Sequence, residues 1–147
     1  MITIKPATED DIEYILEIEQ EAISPPWSHG TLLGELYKND SFFITAVEDK
    51  KICGFAILRQ TADESELLQI AVAKTSRRRG AADMLMNAVL ARAAETAKEA
   101  IHLEVRRSNE AAINLYKKYD FKIVRYRKGY YTQPVEDAVV MIRRIIK

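Results

Sequence analysis

The spacing of apolar residues along the chain alternates between the period of helices and that of strands. A short first strand is predicted between Ile2 and Pro6. Thr8 and the acidic residues after it form a helix start, and the apolar residues that follow recur at helical spacing up to Pro25. Ser28 can cap a second, shorter helix. The chain is therefore predicted to begin with one strand and two helices.

Three strand candidates come next, at Ser41–Glu48, Lys51–Gln60 and Glu64–Val72. The polar pair Asp49 and Lys50 separates the first two candidates. A polar connection this short predicts a hairpin.

The second half of the chain predicts a long helix, a strand, a shorter helix and two closing strands. The long helix runs from Gly80 to about Ala97, with Met84 and Leu85 on its apolar stripe. The other elements are a strand at Ile101–Val105, a helix at Asn109–Tyr119, and strands at Phe121–Tyr126 and Asp137–Ile145 joined by a long, polar, tyrosine-rich loop. The order βααβββαβαββ predicts an α/β fold with a central, mixed, mostly antiparallel sheet and helices on both faces. Strands are expected to be antiparallel where hairpins join them and parallel where the long helix crosses over.

Composition narrows the class of protein. The chain has 147 residues, enough for a single domain over 1–147, and its 48% hydrophobic and 30% charged residues are typical of soluble globular proteins. Its 22 basic and 22 acidic residues cancel, which argues against a general nucleic-acid-binding protein. The single cysteine, Cys53, excludes an internal disulfide, and its apolar neighbours indicate a small buried hydrophobe rather than a catalytic thiol.

Membrane and metal sites are not expected. No apolar run approaches the length needed to span a bilayer, and the N-terminus lacks the layout of a signal peptide. With this cysteine usage, a cytoplasmic location is expected. No Cys/His cluster indicates a metal site, and His29 and His102 are interpreted as surface or packing residues.

The most informative stretch runs from Leu67 to Met86. An apolar strand ends, three arginines and Gly80 follow, and a helical pattern begins at once. Such a turn presents the first amides of a helix, and the positive end of its dipole, to an anion. Glycine also lets the backbone approach a ligand closely. We therefore predict a site for a diphosphate-bearing cofactor, the alternative being a solvated basic loop.

Two common phosphate motifs do not fit this turn. The chain has no Gly-Lys-Ser or Gly-Lys-Thr of the Walker A type, and the dinucleotide fingerprint needs three spaced glycines where only Gly80 is found. The turn instead carries Arg77-x-x-Gly80-x-Ala82. Between a strand and a helix, this pattern resembles the pyrophosphate loop of the GNAT superfamily of acyl-CoA-dependent N-acetyltransferases, Arg/Gln-x-x-Gly-x-Gly/Ala.

Further motifs resemble the RimI branch of that superfamily. They are Pro26-Trp27-Ser28, Ile70-Ala71-Val72, Leu103-Glu104-Val105-Arg106, Ser108-Asn109, Ala111-Ala112-Ile113, Leu115-Tyr116, and Tyr130-Tyr131 followed by Glu136-Asp137-Ala138. The RimI family acetylates the N-terminal alanine of the eighteenth protein of the small ribosomal subunit. The resemblance therefore implies acetyl-CoA as cosubstrate and a protein N-terminus, from a small-subunit ribosomal protein, as acceptor. Direct nucleic-acid binding is not expected, and the oligomeric state is left open.

The resemblance implies Glu104 as proton acceptor and Tyr116 as proton donor. Because a neutral amine must attack a thioester, the reaction needs a base for the ammonium and an acid for the departing thiolate. Period-two alternation places Glu104 on the face opposite Leu103 and Val105, where it could instead be a structural residue paired with Arg106. Tyr116 could be a core tyrosine, and both roles can hold if its hydroxyl points into a cleft.

The resemblance also implies the cofactor contacts. The backbone of Ile70, Ala71 and Val72 is expected to pair with the pantetheine arm as a strand pairs with its neighbour. The loop and the first helical turn are expected to cover the pyrophosphate, through Arg78, Arg79, Gly80, Ala81, Ala82 and Asp83. Asn109 is a further implied contact, with a purely N-capping role as the alternative.

Three aromatic residues, Trp27, Tyr130 and Tyr131, are expected to frame the peptide side of the cleft, although Trp27 could instead be a hydrophobic anchor of its loop.

Two positions depart from the family pattern. Asp83 stands where a basic residue is usual, so mild repulsion of the phosphates is expected there. Asp120 stands where glycine usually ends a helix, and the left-handed backbone conformation is less favourable for aspartate than for glycine. Neither departure is expected to abolish activity.

Two other functions remain compatible with the sequence. The acceptor could be a small amine, a polyamine or a lysine side chain, because a fold does not fix its substrate. The chain could also be a CoA-sensing module without activity. The presence of both Glu104 and Tyr116 speaks against that second alternative.

Overall fold

The computed structural model describes residues 1–62, 64–96 and 99–145. The strands, in chain order, are β1 (Ile2–Pro6), β2 (Ser41–Glu48), β3 (Lys51–Gln60), β4 (Ser65–Val72), β5 (Ala100–Arg106), β6 (Lys122–Thr132) and β7 (Val135–Arg144). The helices are α1 (Ile12–Ala22), α2 (His29–Leu36), α3 (Ala81–Glu95) and α4 (Glu110–Lys118), with short 3-10 turns at Glu9–Asp11 and Lys74–Ser76. The predicted order of elements is confirmed, and Ala97, the predicted end of the long helix, lies outside the described residues.

The strands form one sheet in the order β1-β2-β3-β4-β5-β7-β6. β4 and β5, which flank α3 in the chain, are parallel, and every other neighbouring pair is antiparallel. A helical crossover preserves strand direction, whereas a hairpin reverses it. The predicted α/β class, with a mixed and mostly antiparallel sheet, is confirmed.

Helices cover both faces of the sheet, as predicted. On one face, Leu85 of α3 and Ile113 of α4 belong to a core cluster that includes residues of β2 to β5 and β7. On the other face, Ile15 of α1 and Leu32 of α2 pack against a second cluster that contains Phe55. Each helix therefore buries one apolar stripe against the sheet.

The predicted apolar stripe of the long helix is partly wrong. Met84 is exposed, whereas Ala81, Leu85 and Val89, each four residues apart, are buried against the sheet. The helix starts directly after the turn at Gly80, and this start sets the rotation that turns Met84 toward solvent. Apolar residues occur on several sides of α3, so the sequence alone does not show which of them face the sheet.

The predicted tyrosine-rich loop is also wrong, because β6 continues to Thr132 and the connection to β7 is only Gln133 and Pro134. β6 is an edge strand, and most of its residues are exposed. An edge strand with little burial lacks the alternation by which buried strands are detected. Tyrosine and threonine nevertheless favour extended backbone, which accounts for the longer strand.

α4 ends in a left-handed turn at Asp120, whose φ is 68°. The N–H of Asp120 donates to the carbonyl of Lys117 over 3.0 Å, and the N–H of Phe121 donates to that of Tyr116 over 3.1 Å. This pair of bonds is a Schellman cap. The Phe121 and Tyr116 ring centroids are 5.8 Å apart. Asp120 therefore takes the conformation that glycine usually takes, and the cap fixes the helix end that carries Tyr116.

β4 and β5 diverge soon after they begin. Among the described residues they pair only at residues 65–66 of β4, opposite residues 101–102 of β5. A bulge adds to the divergence, because Leu58 of β3 faces Leu67 while Ile57 faces Gln69, which leaves Leu68 as the extra residue. The carboxyl-terminal halves of two neighbouring strands are thus separated, and a cleft opens between them.

Candidate active site

The cleft between β4 and β5 has a volume of about 820 Å³. Its walls come from both strands, from the turn and helix start after β4, from α4, from the connection between α1 and α2, and from the end of β6. Most sequence-predicted site residues lie along it: Trp27, Ile70, Ala71, Val72, Arg78, Gly80, Ala81, Ala82, Asp83, Glu104, Asn109, Tyr116, Tyr130 and Tyr131. The fold therefore brings residues from distant parts of the chain into one site.

One end of the cleft is the start of α3, whose first amides receive no side-chain cap from Gly80. Gly80 is the N-cap of α3, has a φ of 92°, and provides no side chain to accept from the first-turn N–H groups. A Cβ at Gly80 would meet no protein atom within 4 Å, so the backbone conformation, not packing, requires glycine. Arg78 also has a positive φ, 68°. The amides of Ala81 and Ala82 thus face a cleft that can take an anion.

Arg79 differs from its expected place. Its guanidinium donates to a carboxylate oxygen of Glu48 over 3.0 Å, and it is not among the residues that line the cleft. Arg77, which belongs to the turn motif but was not predicted as a contact, does line the cleft. Of the three consecutive arginines, Arg77 and Arg78 therefore face the candidate anion site, while Arg79 is held on its outer side.

Asp83 is paired within the protein. Its carboxylate accepts from the Lys118 ammonium over 2.9 Å and from the Tyr119 hydroxyl. These hydrogen bonds, first from Tyr119 and then from Lys118, hold the pKa of Asp83 below its usual value. Burial and Asp83 raise the pKa of Tyr119 to about 12. Lys118 thus places a positive charge beside Asp83, the position at which a basic residue is usual in the family.

The middle of the cleft has a free strand edge. Ile70, Ala71 and Val72 pair with β3 on one side. Their other edge faces β5, with which no pair is formed at this level among the described residues. Unpaired backbone groups on a strand edge can accept an extended, amide-containing ligand as an added strand.

Glu104 lies on β5 with its side chain 20% exposed. Leu103 and Val105 point into the α3 and α4 core, so alternation places Glu104 on the opposite face, in the cleft. Its carboxylate accepts from the Arg127 guanidinium over 2.6 Å. The predicted alternative, a pair with Arg106, is not formed, because Arg106 pairs with Glu136 instead. Arg127 thus holds the Glu104 carboxylate in place while leaving it at the cleft surface.

Tyr116 is 8% exposed and lines the cleft from α4. Burial raises the pKa of its phenol above the usual value, so the hydroxyl keeps its proton at neutral pH. The described residues offer this hydroxyl no hydrogen-bond partner, and it is free to donate to a group in the cleft. Tyr116 is therefore both a packed residue, against Phe121, and a potential proton donor.

The opposite end of the cleft is aromatic. The Tyr130 and Tyr131 rings meet edge to face with centroids 5.1 Å apart, and the Arg127 guanidinium lies 4.3 Å from the Tyr130 ring centre. Burial, with a contribution from Glu104, raises the pKa of Tyr131 to about 12. Trp27 lines the cleft and also packs against the core beneath α1 and α2, and its contact with a peptide stays a prediction.

The comparisons with known proteins agree with this geometry. The acetyltransferase (GNAT) family model matches residues 11–121. The chain belongs to the GNAT family. Ribosomal protein bS18-alanine N-acetyltransferase of Haemophilus influenzae is 39% identical over 137 residues, which cover 89% of this chain and 90% of that protein. The family and fold expected from the resemblance are confirmed.

Two solved structures of the GNAT fold illustrate the likeness. The ribosomal-protein-S18-alanine N-acetyltransferase of Escherichia coli has a TM-score of 0.91 and 31% identity, covering 100% of this chain and 96% of that one. Ard1 of Thermoplasma volcanium has a TM-score of 0.93 and 28% identity, covering 99% of both chains.

Several residues of this GNAT cleft were missed by sequence reasoning. Glu66 of β4 lines it on the same face as Glu104, and Arg106 lines it two residues beyond Glu104. The alternation along β5 indicates Arg106, since it places Arg106 and Glu104 on one face.

Asn109 caps α4, accepting from the N–H of Ala112 over 3.1 Å, while also lining the cleft.

No described helix is long and apolar enough to cross a membrane. Within residues 1–62, 64–96 and 99–145, no group of His, Cys, Asp or Glu side chains is arranged to hold a metal ion. Cys53 is buried, and burial raises the pKa of its thiol.

Proposed function

We propose that this GNAT chain transfers the acetyl group of acetyl-CoA to the α-amine of the N-terminal alanine of ribosomal protein bS18. The observation that carries the proposal is the shared cleft: Glu104 and Tyr116 line it between an anion-type helix start and an aromatic end. Relatives at 35–39% identity over most of the chain are named for this activity.

The cleft fits the parts of acetyl-CoA. The uncapped amides after Gly80, with Arg77 and Arg78, suit the pyrophosphate. The free edge of β4 at Ile70 and Val72 suits the amide groups of the pantetheine arm. Asn109 and the first turn of α3 complete this assignment. Arg79, paired with Glu48, is assigned to holding the turn rather than to touching the cofactor.

Bound in this way, acetyl-CoA supplies an activated acetyl thioester. A peptide α-amine has a pKa near ~8 and is largely protonated at neutral pH, so its proton must be removed before attack. Glu104, held in place by Arg127, accepts that proton. The amine then forms the new C–N bond as the C–S bond breaks, and Tyr116 gives its proton to the departing thiolate. The nitrogen loses its second proton to solvent as the amide forms, and solvent returns a proton to the Tyr116 phenolate and takes the one held by Glu104. Trp27, Tyr130 and Tyr131 frame the incoming peptide.

The test is acetyl transfer from acetyl-CoA to a peptide that copies the N-terminus of a bacterial bS18, followed by mass spectrometry. We expect one acetyl group on the α-amine. The control peptide differs from it in having a blocked N-terminus and an internal lysine, and we expect no transfer to it. Absence of transfer by a chain that binds acetyl-CoA, or preference for a free small amine, would overturn the proposed acceptor.

A further inference from the structure

Two adjacent arginines after Glu104 make matching contacts on different sides of the sheet. Arg106 pairs with Glu136 over 3.2 Å and lies over the Tyr131 ring at 4.4 Å. Arg107 pairs with Asp137 over 3.4 Å and lies over the Tyr126 ring at 4.9 Å. The Arg106 side chain is 13% exposed and the Arg107 side chain 61%. Only Arg106 lines the cleft.

Arg106 also contacts backbone that Arg107 does not reach. Its Nε donates to the carbonyl of Ser24 over 2.9 Å. Its Nη1 and Nη2 donate to the carbonyls of Pro134 and Gln133, each over 3.0 Å. One planar guanidinium thus joins the connection between α1 and α2 to the turn between β6 and β7. A lysine ammonium lacks the fixed fork that makes three such bonds at once.

These two segments carry the aromatic end of the cleft. The α1–α2 connection continues from Ser24 to Trp27, and one residue, Thr132 at the end of β6, separates Tyr131 from the β6–β7 turn. Among the described residues, no hydrogen bond joins the two segments directly. The hydrogen bonds of Arg106 are therefore the direct link between the two segments.

The same cluster reaches the helix that carries Tyr116. The Glu136 carboxylate accepts from Arg106 and, over 2.6 Å, from the backbone N–H of Ser108, just before α4. Hydrogen bonding from Ser108, with a smaller contribution from Arg106, holds the pKa of Glu136 below its usual value. A carboxylate kept ionised in this way remains an acceptor for both partners at neutral pH.

We propose that Arg106 is a positioning residue for the acceptor peptide, which fixes Trp27 and the Tyr130–Tyr131 pair as the two walls between which the peptide binds. This proposal rests on the proposed function. The side chain of Arg106 contacts none of the residues assigned to acetyl-CoA, so its replacement is expected to affect the peptide and to leave acetyl-CoA in place.

The test compares Arg106→Lys and Arg106→Gln with the matched variants Arg107→Lys and Arg107→Gln. For both Arg106 variants we expect the KM for the bS18 peptide to rise about tenfold or more, because several charge-assisted hydrogen bonds are lost. We expect the Kd for acetyl-CoA to stay within about twofold of wild type, and kcat to fall less than KM rises. The Arg107 variants keep wild-type values.

A second readout does not depend on activity. Trp27 is the only tryptophan, so its fluorescence reports on the α1–α2 connection alone. Acrylamide should quench it more strongly in both Arg106 variants than in wild type or the Arg107 variants. If wild type fails to acetylate the peptide but this difference is found, the proposed acceptor falls and the positioning role stands.

Three results would overturn the positioning role. They are unchanged peptide KM and quenching in an Arg106 variant that folds, full rescue by Arg106→Lys, and equal effects of the Arg106 and Arg107 substitutions. Thermal unfolding of all four variants identifies any that fail to fold. Where a glutamine variant fails to fold, the lysine variant at the same position decides whether the positioning role holds.

Discussion

The two ends of the cleft are built by different means. The end assigned to acetyl-CoA consists of consecutive backbone groups: the free edge at residues 70–72 and the helix start after Gly80. The acceptor end consists of segments distant in sequence, and Arg106 bonds to Ser24, 82 positions away. Backbone geometry tolerates most side-chain changes, whereas a joint made by one side chain does not. The first end should therefore be sensitive at few positions, and the second at those that join its segments.

The largest effect is expected where the two ends meet. Glu104→Gln keeps the size of the side chain but cannot accept a proton, so kcat for the bS18 peptide should fall by about 100- to 10,000-fold. Acetyl-CoA affinity, measured by calorimetry, should be unchanged. Glu64→Gln is the matched control, because Glu64 is 66% exposed and only approaches His102, at 3.8 Å. Activity retained in Glu104→Gln would remove the assigned base and leave Glu66 as the next candidate.

Tyr116→Phe should have the second largest effect. The substitution keeps the packing against Phe121 and removes only the hydroxyl, so kcat should fall by about 10- to 100-fold, less than for the base because a thiolate leaves readily. Stopped assays that measure CoA release provide the rate. Tyr119→Phe, which removes a hydroxyl bound to Asp83 instead, is the control and should retain most activity. Equal losses in the two variants would contradict a specific donor role.

Gly80→Ala tests the backbone character of the cofactor end. Alanine at a φ of 92° is strained by about 1–2 kcal/mol, so the turn should shift and the Kd for acetyl-CoA should rise about tenfold. The peptide KM, at saturating acetyl-CoA, should not change. Gly34→Ala is the control, since Gly34 lies within α2 and has open space around it. A larger effect on the peptide than on acetyl-CoA would break the distinction between the two ends.

The same difference explains what could be predicted from the sequence. The cofactor end is local: a strand, three arginines, a glycine and a helix stand in one continuous stretch, so the turn and its chemistry were visible. The sequence does not indicate that the Arg79 side chain lies outside the cleft, because its partner, Glu48, is on another strand and nothing in the turn motif shows which arginine turns outward.

The acceptor end could not be assembled in this way. The partners of Arg106 are largely backbone carbonyls, of Ser24, Gln133 and Pro134, and every residue has a carbonyl. No residue type marks such a partner in the sequence. The full length of β6 could not be predicted for a related reason. It is an exposed edge strand with a register shift between Arg127 and Tyr131, so its sequence shows no apolar alternation.

The smallest expected effect concerns Glu19, which anchors the other end of the α1–α2 connection. Its buried carboxylate accepts from the backbone N–H of Trp27 over 2.8 Å and from the Gln69 side chain over 3.0 Å. The other side-chain oxygens of Glu19 and Gln69 are buried without a partner. A proton on Glu19, or an amide in place of its carboxylate, removes the buried charge and adds a hydrogen-bond donor beside these oxygens.

Burial raises the pKa of Glu19 above its ordinary value of 4.5. The folded chain therefore keeps this proton to a higher pH than the unfolded chain, and wild-type stability should fall as the pH rises from 4.5 through the raised pKa. Glu19→Gln cannot ionise, so its melting temperature should exceed that of wild type by an amount that grows with pH, to about 2–4 °C at pH 8. Thermal unfolding over a pH series measures the difference, with the exposed Glu17→Gln as control. A difference that shrinks as the pH rises would mean that the ionised carboxylate is the form that holds Trp27.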